Sequence, residues 1–167
     1  MRIPDSILLI GAFCGALILS SSAQSMIDSS TITAESGSVY DASGTFDPEN
    51  LLDGELDEGN RDSHLGTHWL ASEGIFTETV TFDLGGKYDL TSLSILNTSN
   101  SGWNDSETDT FTFATSADGG DSFSDPSDPI ELQDFAEDFQ DVPLVAPGVT
   151  HVQLEVTNED ADDQDTN

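Results

Sequence analysis

His64 and His68 stand four residues apart, with Glu58 and Asp62 beside them. On a helix this spacing would put both imidazoles on one face, where they could grip zinc or copper together. Gly66 and Thr67 between them argue for a loop instead, no third ligand is evident, and His151 is remote in sequence. The pair therefore reads as exposed or ligand-contacting histidines. Trp103 offers different chemistry. It sits in the polar stretch Asn100-Ser101-Gly102-Trp103-Asn104-Asp105, where an aromatic ring makes an exposed platform for a ligand. The alternative is a plug against the edge of the fold. Asn97, Asn100 and Asn104 could hydrogen-bond hydroxyls beside it, or serve as turn formers. Arg61 could take a ligand's hydroxyl or carboxylate in a two-pronged contact, or neutralise a nearby acid.

Nothing points to covalent catalysis. The chain has no Gly-x-Ser-x-Gly elbow, no phosphate-cradling glycine loop and no HExxH pair. A glycosidase needs two carboxylates at a defined separation across a cleft. With 33 Asp and Glu in 167 residues, acid pairs occur by chance and carry no such information.

The charge narrows the partners. Three Lys and Arg against 33 acids give a formal net charge of −30. That field repels DNA and anionic membranes, leaving neutral, cationic or metal-bridged partners. Such a surface suits a salty medium, where screening lengths fall to about 3 Å at 1 M; loading with divalent cations is the rival reading. The start of the chain reads as a secretory signal. Arg2 is its positive charge, Ile7 to Leu19 its apolar run, and Ser21-Ser22-Ala23 its small-residue cleavage site. As a helix the run spans about 20 Å, short of the ~30 Å hydrocarbon core. A retained anchor helix is the alternative, and Asp5 is an awkward residue for either. Cys14 lies within this segment, after a Phe13 too bulky for lipoprotein cleavage. The secreted chain then has no disulfide and no thiolate chemistry.

The elements that must position these residues are strands. A short one is expected within the Ser/Thr-rich stretch 25–44, with scattered apolar residues at Ile32, Val39 and Tyr40. Val80, Phe82 and Leu84 alternate with Thr81 and Asp83, and Gly85-Gly86 predicts a turn before a next strand from Leu90 to Leu96. Phe111 and Phe113 mark another strand, ending at an Asp118-Gly119-Gly120 hairpin signal. Ile130 and Leu132 make a short piece. Phe135, Phe139, Val142, Leu144 and Val145 follow in a region that carries Pro143 and Pro147 and reads as an edge. Val152, Leu154 and Val156 give the cleanest two-residue period. Between them, 46–69 reads as irregular, pinned by Leu51, Leu52, Leu56 and Leu65. No amphipathic helix of three turns is found. Short strands with regular turn signals mean an antiparallel sandwich or barrel. The expected plan is a signal peptide over 1–23, a β-sandwich domain over 24–157 and an acidic disordered tail over 158–167.

Several pieces, in order, resemble a discoidin (F5/8 type C) domain, a galactose-binding-like, jelly-roll β-sandwich. They are Leu51-Leu52-Asp53-Gly54, Thr67-His68-Trp69, Phe82-Asp83-Leu84-Gly85, Ser116-Ala117-Asp118-Gly119 with Phe123, and Val152-Gln153-Leu154-Glu155-Val156. The resemblance covers roughly Ala42 to Val156. There are two departures. Glu55 to Leu65 looks like an insertion, and the family's further strand, which carries a glutamate, is replaced by the acidic tail. The second implies a trimmed domain or a fragment.

The resemblance implies a binding module without catalysis, taking its ligand in loops at one end. His68, Trp69 and Trp103 are then candidates for stacking on or touching a sugar, with Arg61 and Asn104 beside them. At its motif position Trp69 is expected in the core instead. The resemblance also implies a structural Ca²⁺ in the Asp-Gly loop. Asp53 and Thr67 carry over by motif, while Asn50 and Glu55 are nearby oxygen donors; calcium takes six to eight such oxygens. Glu155 is expected to point outward rather than replace the family's glutamate. The expected function is secreted binding of a carbohydrate or cell-surface component. The alternative is an extracellular adhesion or structural protein whose acidic surface binds calcium or a protein partner. A small metal-dependent hydrolase is a third, weaker reading. No feature assigns an oligomeric state.

Overall fold

The structure is a computed structural model. It describes residues 26–40, 46–52, 69, 71–72, 74–95, 97, 108–133 and 139–158, and the backbone alone at 5–7, 10–11, 15–16 and 25. In chain order the strands are β1 (Asp5–Ile7), β2 (Ile10–Gly11), β3 (Gly15–Ala16), β4 (Ser25–Ile27), β5 (Thr33–Ser36), β6 (Thr77–Ile95), β7 (Thr110–Ser116), β8 (Ile130–Glu131) and β9 (Gln140–Thr157). β1 runs parallel to β4, and β2 pairs antiparallel with β3. The main sheet has the order β5-β6-β9-β7-β8, antiparallel throughout. The helical pieces among the described residues are two 3-10 turns, Ser29–Thr31 and Pro48–Leu51, each capped by the preceding aspartate. No helix among them is long and apolar enough to cross a membrane.

Two long strands build the sandwich. β6 has 19 residues, about 60 Å if fully extended. Its two ends nevertheless meet the same region. Thr77 pairs with Thr157, which also pairs with Thr110. Asn97, two residues past the other end, hydrogen-bonds Thr108 at 2.8 Å. The strand must therefore fold back on itself. β9 follows it, Ile95 pairing with Gln140 and Thr77 with Thr157. The result is a β-sandwich with a corner at one end and loops at the other.

The corner forms at two glycines. Gly85 (φ 66°) and Gly148 (φ 65°) adopt the left-handed conformation that side chains resist. A Cβ on Gly85 would lie 2.2 Å from the Thr31 carbonyl oxygen. Asp83 Oδ1 accepts the Gly85 amide at 2.9 Å, and Asp89 Oδ1 the Gly148 amide at 2.8 Å. The turn expected at Gly85-Gly86 is thus a bend within one continuous strand, not a break between two. The cause is that β9 bends alongside, so pairing resumes at Tyr88–Val149 after a register shift.

The register shifts also keep apolar residues inward. Val80, Phe82, Leu84 and Leu90 are buried, after which the parity changes and Leu93 and Ile95 are buried. All of them join Phe111, Val142, Leu144, Val149, Val152, Leu154 and Val156 in one core cluster. Each fully buried side chain of this size stabilises by about 1.5–3 kcal/mol. Glu155 is exposed, as its place in the alternation requires. Val142 to Pro147 lies in the half of β9 that pairs with β6 and, among the described residues, not with β7. That is where strand prolines are tolerated.

Candidate functional site

The described ends of three connections, 37–76, 96–109 and 132–139, meet at the loop end. The Asp109 amide donates to Thr157 O at 3.0 Å, the Asn158 amide to Phe76 O at 2.9 Å, and the Leu132 amide to Asp109 O at 2.9 Å. The first two bonds tie the returning ends of the first two connections to the end of β9, and the third ties the start of the third connection to Asp109.

The first connection rests on Trp69. Its side chain is 3% exposed and belongs to the core cluster, as expected from its motif position. Its Nε1 donates to Ser36 Oγ at 3.1 Å and Ser38 O at 3.3 Å. Ser38 Oγ donates to Glu78 Oε2 and accepts the Ser72 amide at 3.2 Å. Ser72 Oγ reaches Val39 O at 2.9 Å. The start of the 53–68 segment is held as firmly, because Leu51 and Leu52 are buried. Asp53, Glu55, Arg61, Thr67 and His68 lie within this segment, outside the described residues. Asn50, the remaining member of the calcium set, is half-buried on the Pro48–Leu51 turn, with its amide donating to Asp47 O at 3.0 Å. Among the described residues no group of three or more His, Cys, Asp or Glu is placed to hold a metal.

The second connection is pinched at its base. Asn97 is 1% exposed; its Nδ2 donates to Thr108 O at 2.8 Å and Gln133 O at 3.4 Å, and its Oδ1 accepts the Thr108 amide at 3.3 Å. It is thus a buried brace, not the hydroxyl partner the sequence also allowed. Trp103 and Asn104 fall between Asn97 and Thr108, outside the described residues.

The sequence reading missed two exposed rings. Phe76 is 44% exposed, with Ile75 beside it, and Tyr40 is 53% exposed. Tyr40 meets Phe46 edge-on, centroids 5.5 Å apart at 88°. The strand expected within 25–44 is β5, which ends at Ser36, so Tyr40 lies beyond it. A usable signal was Gly74-Ile75-Phe76, two consecutive large apolars that cannot both face a core in a strand.

The remaining ionisable groups sit elsewhere. His151 Nε2 lies 3.7 Å from Asp83 Oδ2, on strands β9 and β6, towards the corner. Lys87 Nζ donates to Ala117 O at 3.4 Å. Asp118 closes the 116–122 turn. Bonds from the Ser122 hydroxyl, the Ser116 hydroxyl and the Ser122 amide lower its pKa to about 2.

The F5/8 type C domain model matches residues 31–162. No curated protein matches the chain. Among solved structures, one similar chain is CpGH89CBM32-5 from Clostridium perfringens, in complex with GalNAc-β-1,3-galactose. It is 18% identical, has a TM-score of 0.61, and the match covers 79% of this chain and 88% of that one. The family 32 module of C. perfringens NanJ, in complex with galactose, is 14% identical at a TM-score of 0.58, over 79% and 86%. Chitosan-binding module 1 from a chitosanase/glucanase of Paenibacillus sp. IK-5 is 19% identical at 0.55, over 76% and 83%. At these identities the likeness is one of fold.

Proposed function

The chain belongs to the F5/8 type C domain family, and on that premise we propose that it is a non-catalytic carbohydrate-binding module that takes its ligand at the loop end. The observation that carries this reading is the anchoring of the loops. Segments 53–68 and 98–107 hold all the candidate sugar-contacting residues, His68, Arg61, Trp103 and Asn104. Each is flanked by buried side chains, Leu52 and Trp69 for the first, Asn97 and Thr108 for the second. Such rigid necks limit the ordering entropy a ligand must offset.

Charge narrows the ligand class. The first segment carries Asp53, Glu55, Asp57, Glu58 and Asp62 with Arg61 as its one Lys or Arg, and the second carries Asp105 and Glu107. Neutral or amino sugars suit this composition, and uronic or sialic acids do not. Trp103 supplies a stacking face, and Asn104 and Arg61 supply hydroxyl contacts. Calcium, held by Asp53, Glu55, Thr67 and Asn50, would act as a structural tie in the first segment. Secretion through 1–23 completes the reading. The net charge of −30 favours a second one, an extracellular adhesion surface binding calcium or a protein partner.

An array of neutral, amino and acidic glycans, with and without chelator, separates the two. Binding to neutral or amino sugars that Trp103→Ala abolishes at an unchanged thermal midpoint supports the module. An array bound by nothing, or bound equally well by the variant, would end it.

A further inference from the structure

The 116–122 turn contains an Asp-Gly step, Asp118-Gly119. With no Cβ on the glycine to obstruct it, the Gly119 amide nitrogen can attack the Asp118 carboxyl carbon. The N–Cγ bond forms, and the carboxyl OH leaves as water with the amide hydrogen. The product is a five-membered succinimide. Water then opens the ring at either carbonyl. One route restores aspartate. The other leaves isoaspartate, in which the backbone runs through Cβ and Cγ and gains one methylene. The turn depends on this glycine. Gly119 has φ 87° with open space around it, so backbone strain, not crowding, excludes a side chain that would slow the attack.

Both reacting groups are engaged in the closed turn. The Gly119 amide donates to Thr150 Oγ1 at 3.1 Å, and that hydroxyl donates onward to Ser116 O at 3.2 Å. Asp118 Oδ1 accepts the Ser116 hydroxyl at 2.7 Å and the Ser122 amide at 3.0 Å, and Oδ2 accepts the Ser122 hydroxyl at 2.6 Å. Cyclisation consumes the protonated carboxyl, whereas the Ser122 and Ser116 donors favour the ionised one. It also requires the Gly119 amide to leave Thr150.

We propose that Asp118-Gly119 is a latent site of isoaspartate modification, held unreactive by Ser116, Ser122 and Thr150. The extra methylene would carry the carboxylate away from Ser122 and the Gly119 amide away from Thr150. Modification would thus release the turn from β9 and keep it released. The proposal stands apart from the identity of any ligand.

The test ages the full chain at one near-neutral pH, folded in buffer and unfolded in guanidinium. Chymotrypsin, cutting after Phe113 and Phe123, releases fragment 114–123, in which electron-transfer mass spectrometry separates isoaspartate from aspartate. Isoaspartate should form at position 118 in the unfolded chain and roughly tenfold more slowly, or slower still, in the folded one, where the turn must first open. Ser122 is exposed, so Ser122→Ala leaves the core intact. Ser122→Ala and Thr150→Ala should each speed the folded reaction about fivefold, the factor carried by one net hydrogen bond. Thr150→Ser keeps the hydroxyl and should age like the wild type. Equal rates in the folded and unfolded chains overturn the proposal, as does an unfolded chain that forms no isoaspartate at 118. Folded variants that age no faster than the wild type overturn it too. Should Thr150→Ala fail to fold, Ser122→Ala and the folded-to-unfolded ratio of the wild type decide.

Discussion

The indole N–H of Trp69 donates to Ser36 Oγ at 3.1 Å, tying the floor of the loop end to the last residue of β5. The ring is buried, so packing and hydrogen bonding are separable by substitution. Trp69→Phe keeps most of the ring and loses the donor, which should cost about 1 kcal/mol. Trp69→Ala also leaves a cavity and should cost about 3–5 kcal/mol. Urea midpoints at constant m-value measure both, and equal losses would show that the ring does not pack as described.

Gly85 carries the corner. Alanine there meets left-handed strain of about 1–2 kcal/mol and, in addition, the Thr31 carbonyl, 2.2 Å from the new Cβ. Gly74 has a similar φ of 78° with open space around it. Gly85→Ala should therefore lower the urea midpoint clearly more than Gly74→Ala. The reverse order would mean that the close approach to Thr31 is not what holds the bend.

Asp118 makes acid sensitivity local. Its pKa is about 2 in the folded protein, against an ordinary 3.8. A depressed carboxyl pKa contributes stability that is complete above the unfolded value and lost as pH falls through the folded one. The difference in thermal midpoint between wild type and Asp118→Asn should be constant above 3.8 and shrink as pH falls toward about 2. A difference that ignores pH would rule out the Ser122 and Ser116 hydroxyls as its cause.

Calcium should act as a tie if it binds. At a free concentration a hundred times its dissociation constant, a ligand specific for the folded state stabilises by about 2.7 kcal/mol. Calcium should raise the thermal midpoint, chelator should reverse the rise, and Asp53→Asn should abolish it. Magnesium, which demands tighter octahedral geometry, should do less. A calcium shift that survives Asp53→Asn would move the site elsewhere on the acidic surface.

Much of the sandwich was legible in local pattern. Val152, Leu154 and Val156 are buried and Glu155 is exposed because a strand sends successive side chains to opposite faces. The same rule placed Val80, Phe82 and Leu84. The family resemblance read over Ala42 to Val156 falls within the 31–162 match. Trp69 was assigned to the core, and it lies there. The candidate site was legible only as residue types. His68, Arg61, Trp103, Asn104, Asp53, Glu55 and Thr67 lie outside the described residues, and the structure adds the necks that hold their segments.

What periodicity could not show was which distant peptides would meet. Gly85-Gly86 looks like a turn from its own neighbours; only the bend of β9 at Gly148 and the closeness of Thr31 make it a corner within one strand. Asn97 looked equally like a turn former or a sugar contact. Its burial against Thr108 and Gln133 depends on β6 folding back, which no window around residue 97 contains. Side-chain alternation is a local property of the chain and so is written in order along it. Hydrogen-bond partners tens of residues apart are chosen by the packed core, and that choice exists only once both layers have closed.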